Sequence, residues 1–95
     1  RPIEDLLRDP AITEVMVNAG GRSVFVERGG LVEAVAGRTL EVRNLTVAIK
    51  NIARACGDEI SERQPMLDAR LEDGSRVAAM FPPCAVDGPT LTVRK

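Results

Sequence analysis

The sequence has no histidine, no tryptophan and no tyrosine, and only two phenylalanines in 95 residues. Without histidine there is no imidazole base, no His-ligated metal and no Ser-His-Asp triad. With so few aromatics there is no platform on which nucleobases could stack. An excess of one charge is missing too. Thirteen Lys and Arg stand against fourteen Asp and Glu, a net of −1, so no global field attracts a nucleic-acid backbone. No apolar run approaches the ~20 residues of a membrane-spanning helix. The N-terminus, Arg1-Pro2-Ile3, has neither a starting Met nor a signal-peptide apolar stretch. The last residues, Thr92-Val93-Arg94-Lys95, stop in the middle of what reads as a strand, so both ends are expected to be cuts in something longer. Two cysteines, Cys56 and Cys84, cannot fill a four-ligand zinc site. Both are expected to be reduced, as in a cytosolic protein, with Cys56 a small core residue and Cys84 partly exposed.

What is present is an aliphatic chain of globular composition. Apolar residues make up 44%, with Ala and Val the commonest at 11 each. The length suits one small domain over residues 1–95, with little stability to spare. Residues 3–8 read as a short helix stopped by Asp9-Pro10. Ile12 to Val17, Arg22 to Arg28 and Leu31 to Val35 read as a three-stranded meander, with Gly29-Gly30 as a two-residue hairpin turn. Between Leu40 and Cys56 the period lengthens. Leu45, Ile49, Ile52 and Cys56 form one apolar helical stripe, Thr39 or Asn44 is placed to cap its start, and Gly57 suits its end. Met66 to Leu71 and Ser75 to Phe81 read as strands around Glu72-Asp73-Gly74, and Thr90 to Arg94 as a half-buried last strand. The expected fold class is α+β: a mostly antiparallel sheet of about six strands, one main helix and a short N-terminal helix.

Little catalytic chemistry is available within it. A phosphate-binding P-loop needs a glycine-rich turn ending in Gly-Lys-Ser/Thr. The only lysines, Lys50 and Lys95, do not follow a glycine. The adjacent carboxylates Glu4/Asp5, Asp58/Glu59 and Glu72/Asp73 do not face each other on a helix or strand, so they are poor acid–base pairs. The distinctive feature is a cluster in the last third: Arg63, Arg70, Arg76 and Arg94, with Asp68, Glu72 and Asp73. One reading is ordinary surface ion pairing across a hairpin. The other is that arginines project from the sheet toward an anion, since their planar donor forks suit phosphate oxygens. A strict two-residue Asp73-Gly74 turn would set Arg76 opposite Leu71, on one face with Leu67, Ala69, Ala78 and Met80. A charge on an apolar face needs a partner. Either a bulge or longer turn re-aims Arg76, or it reaches over the rim to something outside the chain.

Three stretches are similar to a known family: Ile12-Thr13-Glu14-Val15-Met16-Val17-Asn18; Val24-Phe25-Val26-Glu27-Arg28-Gly29-Gly30; and Gln64 through Val77, running on to Pro82-Pro83 and Asp87 to Lys95. In order and over nearly the whole chain, they resemble the N-terminal domain of the CpaF-type ATPases of tight-adherence (Flp) pilus assembly. These belong to the type II/type IV secretion ATPase superfamily. The resemblance implies a cytoplasmic, hexameric parent, peripheral to the inner face of the cytoplasmic membrane, that works with platform proteins of the secretion or pilus apparatus. It implies a PAS-like N-terminal domain joined to a RecA-like domain that carries the P-loop and is absent here. ATP and magnesium would lie between the two domains, with none bound to this domain alone. In related ATPases, arginines after the Asp/Asn-Gly turn and at the end of the last strand reach the nucleotide phosphates. Those contexts match Gly74-Ser75-Arg76-Val77 and Thr92-Val93-Arg94, with Arg70 a further candidate. The resemblance also allows a docking role, for which Met66, Met80, Phe81 and Pro82-Pro83 are the apolar candidates.

Overall fold

A computed structural model describes residues 3–82 and 85–95. The elements run α1 (Glu4–Arg8), β1 (Ile12–Asn18), a short 3-10 turn (Ala19–Gly21), β2 (Ser23–Arg28), β3 (Leu31–Ala34), α2 (Val42–Ala55), β4 (Met66–Arg70), β5 (Arg76–Met80) and β6 (Thr90–Arg94). All strand pairs are antiparallel, in one six-stranded sheet of order β3-β2-β1-β6-β5-β4. The expected fold class is thus the observed one. Two sequence-local units, the meander β1-β2-β3 and the hairpin β4-β5, become one sheet because β6 pairs with both β1 and β5.

Side chains of a strand alternate between faces, and here the alternation separates core from surface. Val15 and Val17, Val24 and Val26, Leu67, Val77 and Ala79, and Leu91 and Val93 point inward and are buried. A β-bulge between Ile12 and Glu14 changes the parity, so Ile12 is buried although it lies three residues before Val15. Ile3 and Leu6 from the α1 end and Leu45, Ile49 and Ala53 of α2 complete the same cluster. The α2 stripe therefore runs through Ala53. Cys56, expected in the core, is a half-buried free thiol just past the helix, and Cys84 lies outside the described residues. Neither Thr39 nor Asn44 caps α2. The N-cap is Glu41, without a side-chain capping bond, and Asn44 Nδ2 instead donates to Glu41 Oε1 at 3.3 Å. The C-terminus closes as expected: Gly57 N donates to Arg54 O and Asp58 N to Ala53 O, the paired bonds of a Schellman motif.

The surface ion pairs are mostly loose, with one tight exception. Arg38 forks onto Asp5 through bonds of 3.0 and 2.9 Å, and this pair lowers the Asp5 pKa. Asp9 is also lowered, first by the Ala11 amide and then by Arg28, and Asp73 by the Ser75 amide. A depressed folded pKa contributes stability that is present above the unfolded value and is lost as pH falls through the folded one. The urea-unfolding midpoint should therefore fall between neutral pH and the acid side of about 3.9, the ordinary aspartate value. An Asp5→Asn, Asp9→Asn double variant should show less of that fall. A midpoint with the same pH dependence in both proteins would count against these pairs.

Candidate functional site

The hairpin turn decides where Arg76 points. Gly74 N donates to Leu71 O at 2.9 Å and Leu71 N to Ser75 O at 2.8 Å, leaving a three-residue loop, Glu72-Asp73-Gly74. Gly74 takes φ +93°, the left-handed position such loops require. Asp73 Oδ1 accepts the Ser75 amide at 2.9 Å, fixing the turn from inside. The extra loop residue shifts the register by one, and a one-residue slip moves every side chain to the other face. Arg76 therefore pairs with Arg70 rather than Leu71. Leu67 and Ala69 face the core with Val77 and Ala79, while Arg76 shares the outward face with Asp68, Ala78 and Met80. A longer turn has re-aimed it, the first of the two alternatives open from sequence.

On that outward face one lateral row crosses the sheet. Arg70 is opposite Arg76, Arg76 opposite Arg94, Arg94 opposite Glu14, and Glu14 opposite Glu27. Three arginines thus stand side by side on β4, β5 and β6, where directly opposed side chains sit about 5 Å apart at Cβ. Like charges so placed repel one another. Two carboxylates relieve them in part. Arg76 Nη2 lies 3.3 and 3.4 Å from the two oxygens of Asp68, and Arg94 Nε lies 3.7 Å from Glu14 Oε1. Arg70 has no ion-pair partner among the described residues. Arg63, in the 61–65 segment, is exposed and stands outside the row.

A shallow depression of about 190 Å³ opens between Glu14, Asp68, Arg76, Thr92 and Arg94. Among the described residues no helix covers this face, and none of its outward-pointing strand residues is buried. The arrangement suits a multiply charged oxyanion, because Arg76 and Arg94 line one open strip with Arg70 next in the row. It does not suit a metal: among the described residues no group of three His, Cys, Asp or Glu could hold one. Arg70 pairs with neither Asp68 nor Glu72 among the described residues, and Asp68 serves Arg76 instead. Sequence inspection also missed Glu14, whose place beside Arg94 depends on the β1–β6 register.

A larger groove of about 670 Å³ runs between α1 and α2, past Ile3, Leu7, Val47 and Ile52. Its walls are apolar and its polar rim is Glu4, Arg43, Asn44 and Asn51, with no strip of like charges. Of the apolar residues considered for docking, Met66 is exposed, Met80 is half-buried and Phe81 is in the core. Phe81 has the same parity as Val77 and Ala79, and its amide is held by Pro65 O at 2.7 Å. Pro82 is exposed and Pro83 lies outside the described residues. No helix among the described residues is long and apolar enough to cross a membrane.

No protein-family model matches the chain. It is 37% identical over 95 residues to the type IV secretion system protein VirB11 of Brucella suis, covering 99% of this chain and 26% of that protein. It is 33% identical over 85 residues to the type IV secretion system protein PtlH of Bordetella pertussis, covering 88% of this chain and 25% of that protein. An uncharacterized protein of Methanocaldococcus jannaschii is 38% identical over 93 residues, 98% of this chain and 13% of that protein. The crystal structure of the Brucella suis VirB11 ATPase in complex with sulphate superimposes with a TM-score of 0.85 at 37% identity, over 99% of this chain and 28% of that one. The chain thus spans about a quarter of the secretion proteins it matches. Over that span it is homologous to the type IV secretion system proteins VirB11 and PtlH, and it shares the fold of the VirB11 ATPase there.

Proposed function

We propose that this chain is the N-terminal, nucleotide-capping module of a secretion ATPase of the CpaF, Flp-pilus kind. It closes over ATP held by a RecA-like domain of the same protein and presents Arg76, Arg94 and Arg70 to the phosphates. The observation that carries this reading is the lateral row of three arginines on an uncovered sheet face. Such a row is repulsive and only partly relieved by Asp68 and Glu14, so an anion laid along it is favoured. The sulphate complex of the homologous Brucella VirB11 ATPase is in keeping with an anion-binding role.

Bound ATP with magnesium supplies a transferable phosphoryl group, and the magnesium ligands come from outside this chain. The chain's own residues orient and neutralise. Arg76 and Arg94, fixed on adjacent central strands, lay their forks against phosphate oxygens, and Arg70 adds charge from the sheet edge. Cations brought up by domain closure offset the charge of a transferring phosphoryl group. The parent works as a hexamer on the cytoplasmic side of the inner membrane and docks there to platform proteins. The test is ATP turnover and binding by the full-length protein carrying Arg76→Ala or Arg94→Ala. Wild-type turnover in both variants would remove the role given to the arginines.

A further inference from the structure

The carboxylate beside Arg76 gives the arginine row a competitor. Asp68 lies on the edge strand β4, directly opposite Ala78, so its side chain shares the outward face with Arg76 and Arg94. Both its oxygens meet the same Arg76 nitrogen, at 3.3 and 3.4 Å. This is long for a guanidinium–carboxylate contact, which is ordinarily about 2.7–2.9 Å. The Arg38–Asp5 fork elsewhere in the chain uses two nitrogens at 3.0 and 2.9 Å. The Arg76–Asp68 contact is also open to water on both sides, with side chains 59% and 69% exposed. The Arg94–Glu14 contact is longer still, at 3.7 Å. Each of these two arginines is therefore held by a single loosely bound acid and has donors left over.

We infer that Asp68 is a displaceable counter-ion. It occupies Arg76 when no anion is present, and an incoming phosphate must take the guanidinium from it. This inference rests on the reading of the row as a phosphate site and adds a gate to it. A tight internal pair would block the site, and an unpaired row would take any passing anion. A weak pair instead sets a threshold that a multiply charged phosphate chain passes more readily than a singly charged anion does. Exposed pairs of this kind contribute modestly, so the threshold amounts to a few-fold in affinity.

The test is a titration of the 95-residue chain with inorganic triphosphate, followed by NMR through the arginine Nε–H signals. The proteins compared are wild type, Asp68→Asn, Arg76→Gln and the double variant. The neutral isostere Asp68→Asn should bind triphosphate about two- to fivefold more tightly than wild type. That gain should largely vanish in the Arg76→Gln background, because the competitor then has nothing to release. Unchanged or weaker binding by Asp68→Asn, with Arg76→Gln weakened as expected, would overturn the gate and leave the phosphate site standing. An equal gain in both backgrounds would show that Asp68 acts only through the general field, and would also overturn the gate. If neither Arg76 nor Arg94 responds to triphosphate in any variant, the phosphate site itself falls, and the gate with it.

Discussion

Gly21→Ala is expected to unfold the chain, or nearly so. A methyl group at Gly21 would stand 2.3 Å from Leu40 O and 3.0 Å from Leu40 C. These are backbone atoms, and they cannot swing aside as a flexible side chain would. Nor can Leu40 retreat freely, because its amide donates to Gly21 O at 2.7 Å. The backbone adds a second cost. Gly21 holds φ +102°, a region that residues with a Cβ avoid. Together these place the substitution in the exceptional class, about 4 kcal/mol or more, out of the 5–15 kcal/mol typical of a domain. The control is Gly57→Ala. Gly57 also has a positive φ, +72°, but nothing lies within 4 Å of its added carbon. It should cost only the left-handed penalty of roughly 1–2 kcal/mol. Urea denaturation of the two variants separates steric contact from backbone strain. Equal losses would mean that the crossing at Leu40 is not the constraint described.

In the full-length protein, Arg76→Ala and Arg94→Ala should each lower ATP turnover by about 10³-fold, the lower end of what an arginine finger contributes in well-studied phosphoryl-transfer enzymes. Both arginines are on paired strands in the C-terminal half of the sheet, and β6 has a neighbour on each side, so their Cα positions are set by the ladders. Lys95 is not available to replace a removed guanidinium, since its ammonium is occupied by the carbonyls of Leu7 and Asp9. Arg70 is on the edge strand and should show the smallest drop of the three. Arg76→Lys should fall between wild type and Arg76→Ala, since it keeps the charge and loses the planar fork. Full activity in Arg76→Lys would show that charge alone suffices.

Much of the fold could be read locally. Gly29-Gly30, the alternation of Val24 and Val26 about Phe25, and the four-residue spacing of Leu45 and Ile49 each report on neighbours a few positions away. What could not be read depends on distant partners. The β1–β6 pairing joins Glu14 to Arg94 across most of the chain, and no local pattern records it. The bulge at Ile12–Glu14 is invisible because Thr13 and Glu14 fit either face. The Asp73-Gly74 pair marked the hairpin correctly, but Asp-Gly serves both two- and three-residue loops. The bond from the Ser75 amide to Asp73 and the Leu71–Ser75 pairing select the longer one. That one-residue choice is why Arg76 could not be assigned a face beforehand. The resemblance singled out Arg76, Arg94 and Arg70. Their alignment in one row came only from the register.

The central place of β6 also has a mechanical side. Thr90–Arg94 is bonded to β1 on one side and β5 on the other, and Lys95 adds a backbone bond to Thr13 O. Tension entering through Lys95 along the strand axis meets two ladders loaded in shear at once, and they must give way together. A strand at the sheet edge would peel from one neighbour, bond by bond. Load applied at this end is therefore shared between both halves of the sheet, and the domain yields as a unit or not at all.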